Sequence, residues 1–125
     1  MKRLLVFGAL LLFMGIGIAS CYKDVIVPPI TQEQPPQFVS YSSDLQPLWT
    51  SNCALSGCHV PGSQMPYLTE GISYDQLIGG GFVNTVKPQE SELWIAINGI
   101  MLPHIPNASD RQKVYDWIRN GAPNN

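Results

Sequence analysis

Apolar residues recur at helical spacing in four short stretches of the sequence after residue 40. Three of these stretches open with the pattern Ser-x-x-Gln, in which the Ser side chain caps a helix and the Gln side chain bonds back to its start. These capping patterns begin at Ser43, Ser73 and Ser109, and the remaining stretch begins at Pro88. The clearest apolar faces consist of Leu45, Leu48 and Trp49, of Leu93, Trp94 and Ile97, and of Val114, Trp117 and Ile118.

The ends of the stretches support the same interpretation. Gly79, Gly99 and Gly121 follow the second, third and fourth stretches, where glycine commonly ends a helix. Residues 60–72 contain Pro61, Gly62 and Pro66 and predict an irregular loop. We find no convincing run of alternating apolar and polar residues, so the sequence predicts an all-α domain of about four short helices over residues 41–125. Such a domain has a thin core and usually gains from a covalent staple or a bound cofactor.

The first twenty residues have the features of an export signal. Lys2 and Arg3 precede an uncharged apolar run over residues 4–19, which is typical of a secretory signal and short for a membrane-spanning helix. The run ends in Ile18-Ala19-Ser20-Cys21, which resembles a bacterial lipobox. The resemblance implies a lipoprotein signal peptide, cleaved before Cys21, and lipidation of that cysteine. An ordinary signal peptide or anchor with an incidental cysteine is the alternative.

Residues 21–40 predict a Pro-rich tether after the lipidated cysteine. Pro28-Pro29 and Pro35-Pro36 favour polyproline II, which extends about 3.1 Å per residue. We therefore expect a domain attached to a membrane through lipid in the cell envelope, facing the periplasm or the exterior. Tyr22 rather than Asp follows Cys21, so resemblance to lipoproteins in general slightly favours the outer membrane.

Composition and charge exclude several functions. The chain is 45% apolar and has a formal net charge of −2, and removal of residues 1–20 leaves five basic and nine acidic residues. Such a chain offers no basic surface for nucleic acid and contains no Gly-rich phosphate loop. The exported compartment is oxidising, so the two cysteines of the mature domain should not persist as idle thiols.

Most of the metal-binding residue types fall in one short segment, Asn52-Cys53-Ala54-Leu55-Ser56-Gly57-Cys58-His59. Two cysteines followed by histidine is the pattern of covalent haem c, although the usual gap is two residues and here it is four. The wider gap requires a bulge, for which Gly57 offers unusual dihedral angles. The residues alone leave three alternatives: a Cys53–Cys58 disulfide, a zinc site completed by His104, and a surface His59.

This segment belongs to a longer series of motifs that occur in a fixed order along the chain. They are Asp44 to Trp49 leading into Asn52-Cys53, Gly57-Cys58-His59, Leu68, Tyr74, Leu77, Val86, Pro88, Glu90, Ser91, Leu93, Met101, Pro103 and Trp117 to Ala122. In this order and spacing, residues 42–125 resemble the small class I c-type cytochrome domains of bacterial exported proteins. The resemblance implies an all-α cytochrome c-like fold around one covalent haem c.

The same resemblance assigns roles to individual residues. It implies thioether bonds at Cys53 and Cys58, His59 as the proximal iron ligand and Met101 as the distal ligand. His104 is the alternative distal ligand, since Leu102 stands where the family usually has the proline that follows the methionine. We expect Leu48, Leu93, Ile97 and Val114 to bury the ring, and Leu45 and Trp49 to meet Val114 or Ile118.

The function implied is that of a lipid-anchored monohaem c-type cytochrome, which passes single electrons between extracytoplasmic protein partners. Two alternatives belong to different classes. A non-redox lipoprotein could use the Cys53–Cys58 disulfide to close a loop in a binding or scaffolding module. An enzyme could act on a small ligand at an open iron, but the sequence shows no acid–base pair beside the single haem site, so we expect no enzyme.

Overall fold

Four short α-helices form most of the regular structure of residues 34–125, the part of the chain that the computed structural model describes. They are α1 (Gln46–Asn52), α2 (Ser73–Gly79), α3 (Glu92–Asn98) and α4 (Ala108–Arg119). A π-helical turn at Tyr41–Leu45 precedes α1, and 3₁₀ turns lie at Pro88–Glu90 and Leu102–His104. These residues contain no β-strand, which confirms the all-α prediction. The predicted signal peptide, the lipidation of Cys21 and the first part of the tether lie outside the described residues.

The helices begin at different capping residues from those predicted. The first helical segment starts at Tyr41, because Ser40 Oγ accepts the Ser43 N–H at 3.2 Å and Asp44 accepts the Ser40 N–H at 2.9 Å. The side chain of Asn107, rather than that of Ser109, caps α4 by accepting the Ser109 N–H at 2.9 Å. The prediction of Ser43 and Ser109 as caps was therefore wrong, although both helices exist.

The third helix is shorter than predicted. Its α-helical part begins at Glu92 instead of Pro88, since Ser91 is extended and its hydroxyl accepts the Asn84 N–H at 2.9 Å. Gly99 follows the last helical residue, as predicted. Gly121 ends α4 at φ +88°, where the Ala122 N–H reaches the Trp117 carbonyl at 2.9 Å. A C-terminal turn of this kind needs a residue in the left-handed conformation, which glycine adopts without steric cost.

The core lies between α4 and the π-helical turn with its continuation into α1. Leu45, Trp49, Val114 and Ile118 are fully buried members of one apolar cluster, and α4 contacts the turn that carries Leu45. The cluster also contains Val39, Tyr41, Leu68, Leu77, Leu93, Ile97, Ile105, Trp117 and Ala122. The first and last helical segments are thus joined through the core, as the family resemblance implied.

Part of the predicted tether belongs to the compact unit, which extends over Gln34–Asn125. Val39 is buried, and the Asn120 side chain donates to the Gln37 carbonyl at 2.7 Å. The Ser42 N–H also bonds an Asn125 main-chain oxygen at 2.8 Å. The bond to Gln37 thus holds a residue before the predicted boundary at Tyr41 against the end of α4, and the bond from Ser42 joins the first helical segment to Asn125. Among the described residues, no helix is long and apolar enough to cross a membrane.

A buried polar network connects the π-helical turn with α1, α2 and the loop between them. Tyr41 donates its hydroxyl to Ser73 Oγ at 2.7 Å, Ser73 donates to Gln46 Oε1, and the Gln46 amide donates to the Leu68 carbonyl at 3.2 Å. Ser73 was predicted to cap α2, and it instead uses its hydroxyl in this network. Burial raises the pKa of Tyr41 to about 12, against smaller lowering effects from Ser73 and Trp49.

The raised pKa predicts a loss of stability at alkaline pH. Because Tyr41 ionises at pH 10.0 when unfolded and near 12 in the folded protein, its contribution is full below pH 10 and declines as pH rises towards 12. Chemical unfolding at several pH values should therefore show a smaller decline between pH 10 and 12 for Tyr41→Phe than for the parent protein. Parallel curves for the two proteins would contradict this role of Tyr41.

Candidate functional site

One cleft of about 300 Å³ is lined by both cysteines, both histidines and both methionines of residues 34–125. Its volume falls within the range of small-molecule sites, about 300–1,000 Å³. The Cys-His segment and the end of α1 contribute Trp49, Asn52, Cys53, Gly57, Cys58 and His59. The irregular loop contributes Gln64, Met65, Pro66 and Leu68, and the α2–α3 connection contributes Phe82. The remaining lining residues are Glu92, Leu93, Ala96, Ile97, Ile100, Met101 and His104.

The two cysteines are held by a closed turn at the end of α1. Cys53 caps α1 with its N–H on the Trp49 carbonyl at 2.9 Å. The chain then turns through Gly57 at φ +79°, and the His59 N–H returns to the Cys53 carbonyl at 3.1 Å. Gly57 therefore supplies the unusual dihedral angle that the four-residue gap predicted. Both cysteines are half-buried free thiols facing the same cleft.

His59 is oriented by the irregular loop that follows it. Its Nδ1 atom lies 3.0 Å from the Pro66 carbonyl oxygen, and its own carbonyl accepts the Leu68 N–H at 2.8 Å. Because a carbonyl oxygen can only accept, this hydrogen bond requires the proton on Nδ1 and leaves a lone pair on Nε2 in the neutral ring. An imidazole fixed in this way is ready to bind a metal through Nε2.

The second candidate ligand comes from the turn after α3. Met101 is half-buried and lines the cleft, and its N–H bonds the Ala96 carbonyl at 2.9 Å. His104 lies one 3₁₀ turn later, lines the same cleft and is exposed. Met65 also lines the cleft but is 59% exposed. The structure thus brings Cys53, Cys58, His59 and both predicted distal candidates to one cavity.

The walls of the cleft are mainly apolar. Leu93 and Ile97 line it, as predicted for residues that bury a ring. Val114 does not line it, because it is fully buried in the core, and Leu48 packs against that core instead. Sequence reasoning missed Phe82 as a wall residue and Pro66 as the partner of His59. Neither belongs to a periodic stretch, so no pattern identified them.

Burial changes the chemistry of the first cysteine. The pKa of Cys53 is raised to about 11, mainly by burial and to a smaller extent by the neighbouring Cys58. At neutral pH this side chain is therefore a neutral thiol. Glu92 is the one carboxylate among the lining residues, which include no Lys or Arg. The cleft is consequently poor in charge and suited to a large apolar group.

The histidine, cysteine and carboxylate side chains that line the cleft do not form a ready-made metal site. Within residues 34–125, no group of three or more His, Cys, Asp or Glu side chains is placed to hold a metal ion. The zinc alternative, with Cys53, Cys58 and His104 among the ligands, would therefore need these side chains to move.

No protein-family model matches this chain, and neither does a curated protein or a solved structure. The function is therefore inferred from the residues of the cleft and from the sequence patterns that surround them.

Gly80 allows Phe82 to fold back towards the cleft. A Cβ atom on Gly80 would lie 2.5 Å from both Phe82 Cε2 and the Gln76 carbonyl oxygen, whereas one on Gly79 would meet nothing within 4 Å. We expect Gly80→Ala to lower the free energy of unfolding by about 1–3 kcal/mol, as other overpacked sites do. The matched variant Gly79→Ala should be neutral or slightly stabilising, since alanine favours a helix. Urea unfolding measures both, and equal stabilities would contradict the proposed contact.

Proposed function

We propose that this chain is a lipid-anchored monohaem c-type cytochrome that carries single electrons between extracytoplasmic protein partners. In this proposal residues 41–125 are a small class I cytochrome c-like domain, and Cys21 carries the lipid. One observation supports it most strongly. The two thiols, His59 and Met101 come from two distant segments of the sequence and line the same apolar cleft.

The thiols of Cys53 and Cys58 are suited to covalent attachment. Each would add across one haem vinyl group, with the sulfur bonding one carbon and the thiol hydrogen passing to the other. This addition involves no net oxidation or reduction, but it requires both cysteines as free thiols. Both cysteines are free in the structure. They lie near the two ends of the turn that is closed by the main-chain bond from the His59 N–H to the Cys53 carbonyl.

His59 and Met101 are the residues that would bind the iron, since both line the cleft. The bond from His59 Nδ1 to the Pro66 carbonyl leaves Nε2 with the lone pair that would bind the iron. Met101 supplies a neutral thioether, which favours the ferrous state and raises the reduction potential compared with a second imidazole. His104, one turn further along, is the alternative ligand at this position.

The chain would tune and insulate the redox centre. When bound, the haem supplies a one-electron couple, and no proton transfer is required. Leu68, Phe82, Leu93 and Ile97 would exclude water from the ring and so disfavour the additional charge of the ferric state. Ile100 lines the cleft and is 80% exposed, so the cleft reaches the surface at this residue. A small and transient contact at this opening would suffice for electron exchange.

The experiment is expression of the full chain in a host with c-type haem assembly. The pyridine haemochrome spectrum should show a c-type band, and the mature protein should gain the mass of one haem. A variant with both Cys53→Ser and Cys58→Ser is the control and should lose covalent haem. Colourless parent protein with a mass two hydrogens below the reduced chain would overturn the proposal. It would favour the non-redox lipoprotein with a Cys53–Cys58 disulfide.

The distal ligand can be assigned with matched methionine variants. Met101→Ala should abolish the sulfur-to-iron charge-transfer band and lower the reduction potential, because the thioether is lost. Met65→Ala removes the other cleft methionine and should leave both properties unchanged. A band that survives in Met101→Ala would contradict the assignment. A parent without this band, but with bis-histidine spectra that His104→Ala abolishes, would assign His104 instead.

A further inference from the structure

Arg111 bonds the chain on both sides of the turn that carries Met101. From α4, its Nε donates to Asn98 Oδ1 at 3.0 Å, immediately before the turn. Its Nη1 donates to the carbonyls of Ile105 and Pro106 at 2.7 and 2.8 Å, immediately after it. One planar guanidinium therefore connects the end of α3 with the segment that immediately precedes α4.

The turn between these contacts has few other attachments. Ile100, Leu102, Pro103 and His104 are exposed, and only Met101 is half-buried. The Met101 N–H on the Ala96 carbonyl fixes its beginning, and the buried side chain of Ile105 fixes its end. A segment with so few buried side chains readily opens locally unless its ends are held.

We infer that Arg111 is the positioning residue for the distal iron ligand. This inference rests on the proposed function and adds to it a residue that holds the distal ligand in place. By joining Asn98 to Ile105 and Pro106, the guanidinium limits how far the turn can move from the cleft. It thereby keeps Met101 at the iron and prevents small molecules from taking its place.

The geometry requires arginine at this position rather than any cation. A lysine ammonium is a compact point charge, whereas the guanidinium fork directs separate N–H groups at separate acceptors. Lys113 lies on the same helix, and its ammonium pairs with Asp110 at 3.1 Å, within α4. Lys113→Gln therefore removes the same charge from the same helix while leaving the contacts of the turn intact.

The test measures how easily imidazole displaces the distal ligand in the ferric holoprotein. Loss of charge-assisted hydrogen bonds should raise the population of the open turn, and with it the imidazole affinity of Arg111→Gln, by about tenfold. The charge-transfer band should also disappear at a lower temperature than in the parent. Arg111→Lys should have an imidazole affinity between those of Arg111→Gln and the parent. Lys113→Gln should have the same affinity as the parent.

Asn98→Ala provides an independent variant in case Arg111→Gln folds poorly. Asn98 is exposed, and its loss removes one of the three contacts, so imidazole affinity should rise by a smaller factor. Because Met101 and His104 lie on the same turn, displacement by imidazole reports on the contacts of Arg111 whichever of the two residues binds iron. Haem-containing Arg111→Gln and Asn98→Ala proteins with parental imidazole affinity would overturn the inference alone. A parent without haem would overturn the proposed function and this inference together.

Discussion

The shortness of the helices is the constraint on which the rest of the structure depends. Three of the four α-helices have seven residues, and a helix of that length is not stable in water by its own hydrogen bonds. Burial of Trp49 and Trp117 in one core must therefore hold the helices together. Individual side chains hold the connections, as Tyr41 and Ser73 do in the buried network and as Arg111 does at the turn after α3.

The same constraint explains why the reactive residues lie where the helices end. Cys53 caps α1, and Met101 bonds the last turn of α3 through the Ala96 carbonyl. The positions of Cys53 and Met101 are therefore fixed by the ends of two helices that are themselves fixed by the core. Residues at such places can be positioned accurately while their side chains stay outside the close-packed interior. The cleft is the space that these two helix ends leave between them and the irregular loop.

The sequence predicted the helices well where apolar periodicity specified them, and less well where capping decided their ends. Leu45 and Trp49 on one side and Val114 and Ile118 on the other carried a clear pattern, and they share the core. The caps differed because a hydroxyl can hydrogen-bond with several different partners, as donor or acceptor, and the pattern does not show which partner it finds. The ligand candidates were identified by residue type and order alone. Pro66 and Phe82 were not, because their roles depend on how an irregular loop and a glycine turn fold back in three dimensions.

A domain built in this way gains stability from whatever occupies its cleft. A group that binds only the folded state adds to the free energy of unfolding, and covalent attachment at Cys53 and Cys58 would make that contribution independent of concentration. Leu93 and Ile97 belong to the core and also line the cleft, so a bound group would extend that core from α4 towards the Cys-His turn. Under this view the thin core is a consequence of the cleft: the chain leaves apolar side chains exposed to a cavity that a large planar cofactor would fill. The turn that carries Met101 is different, because most of its side chains are exposed and Arg111 bonds the chain on both sides of it.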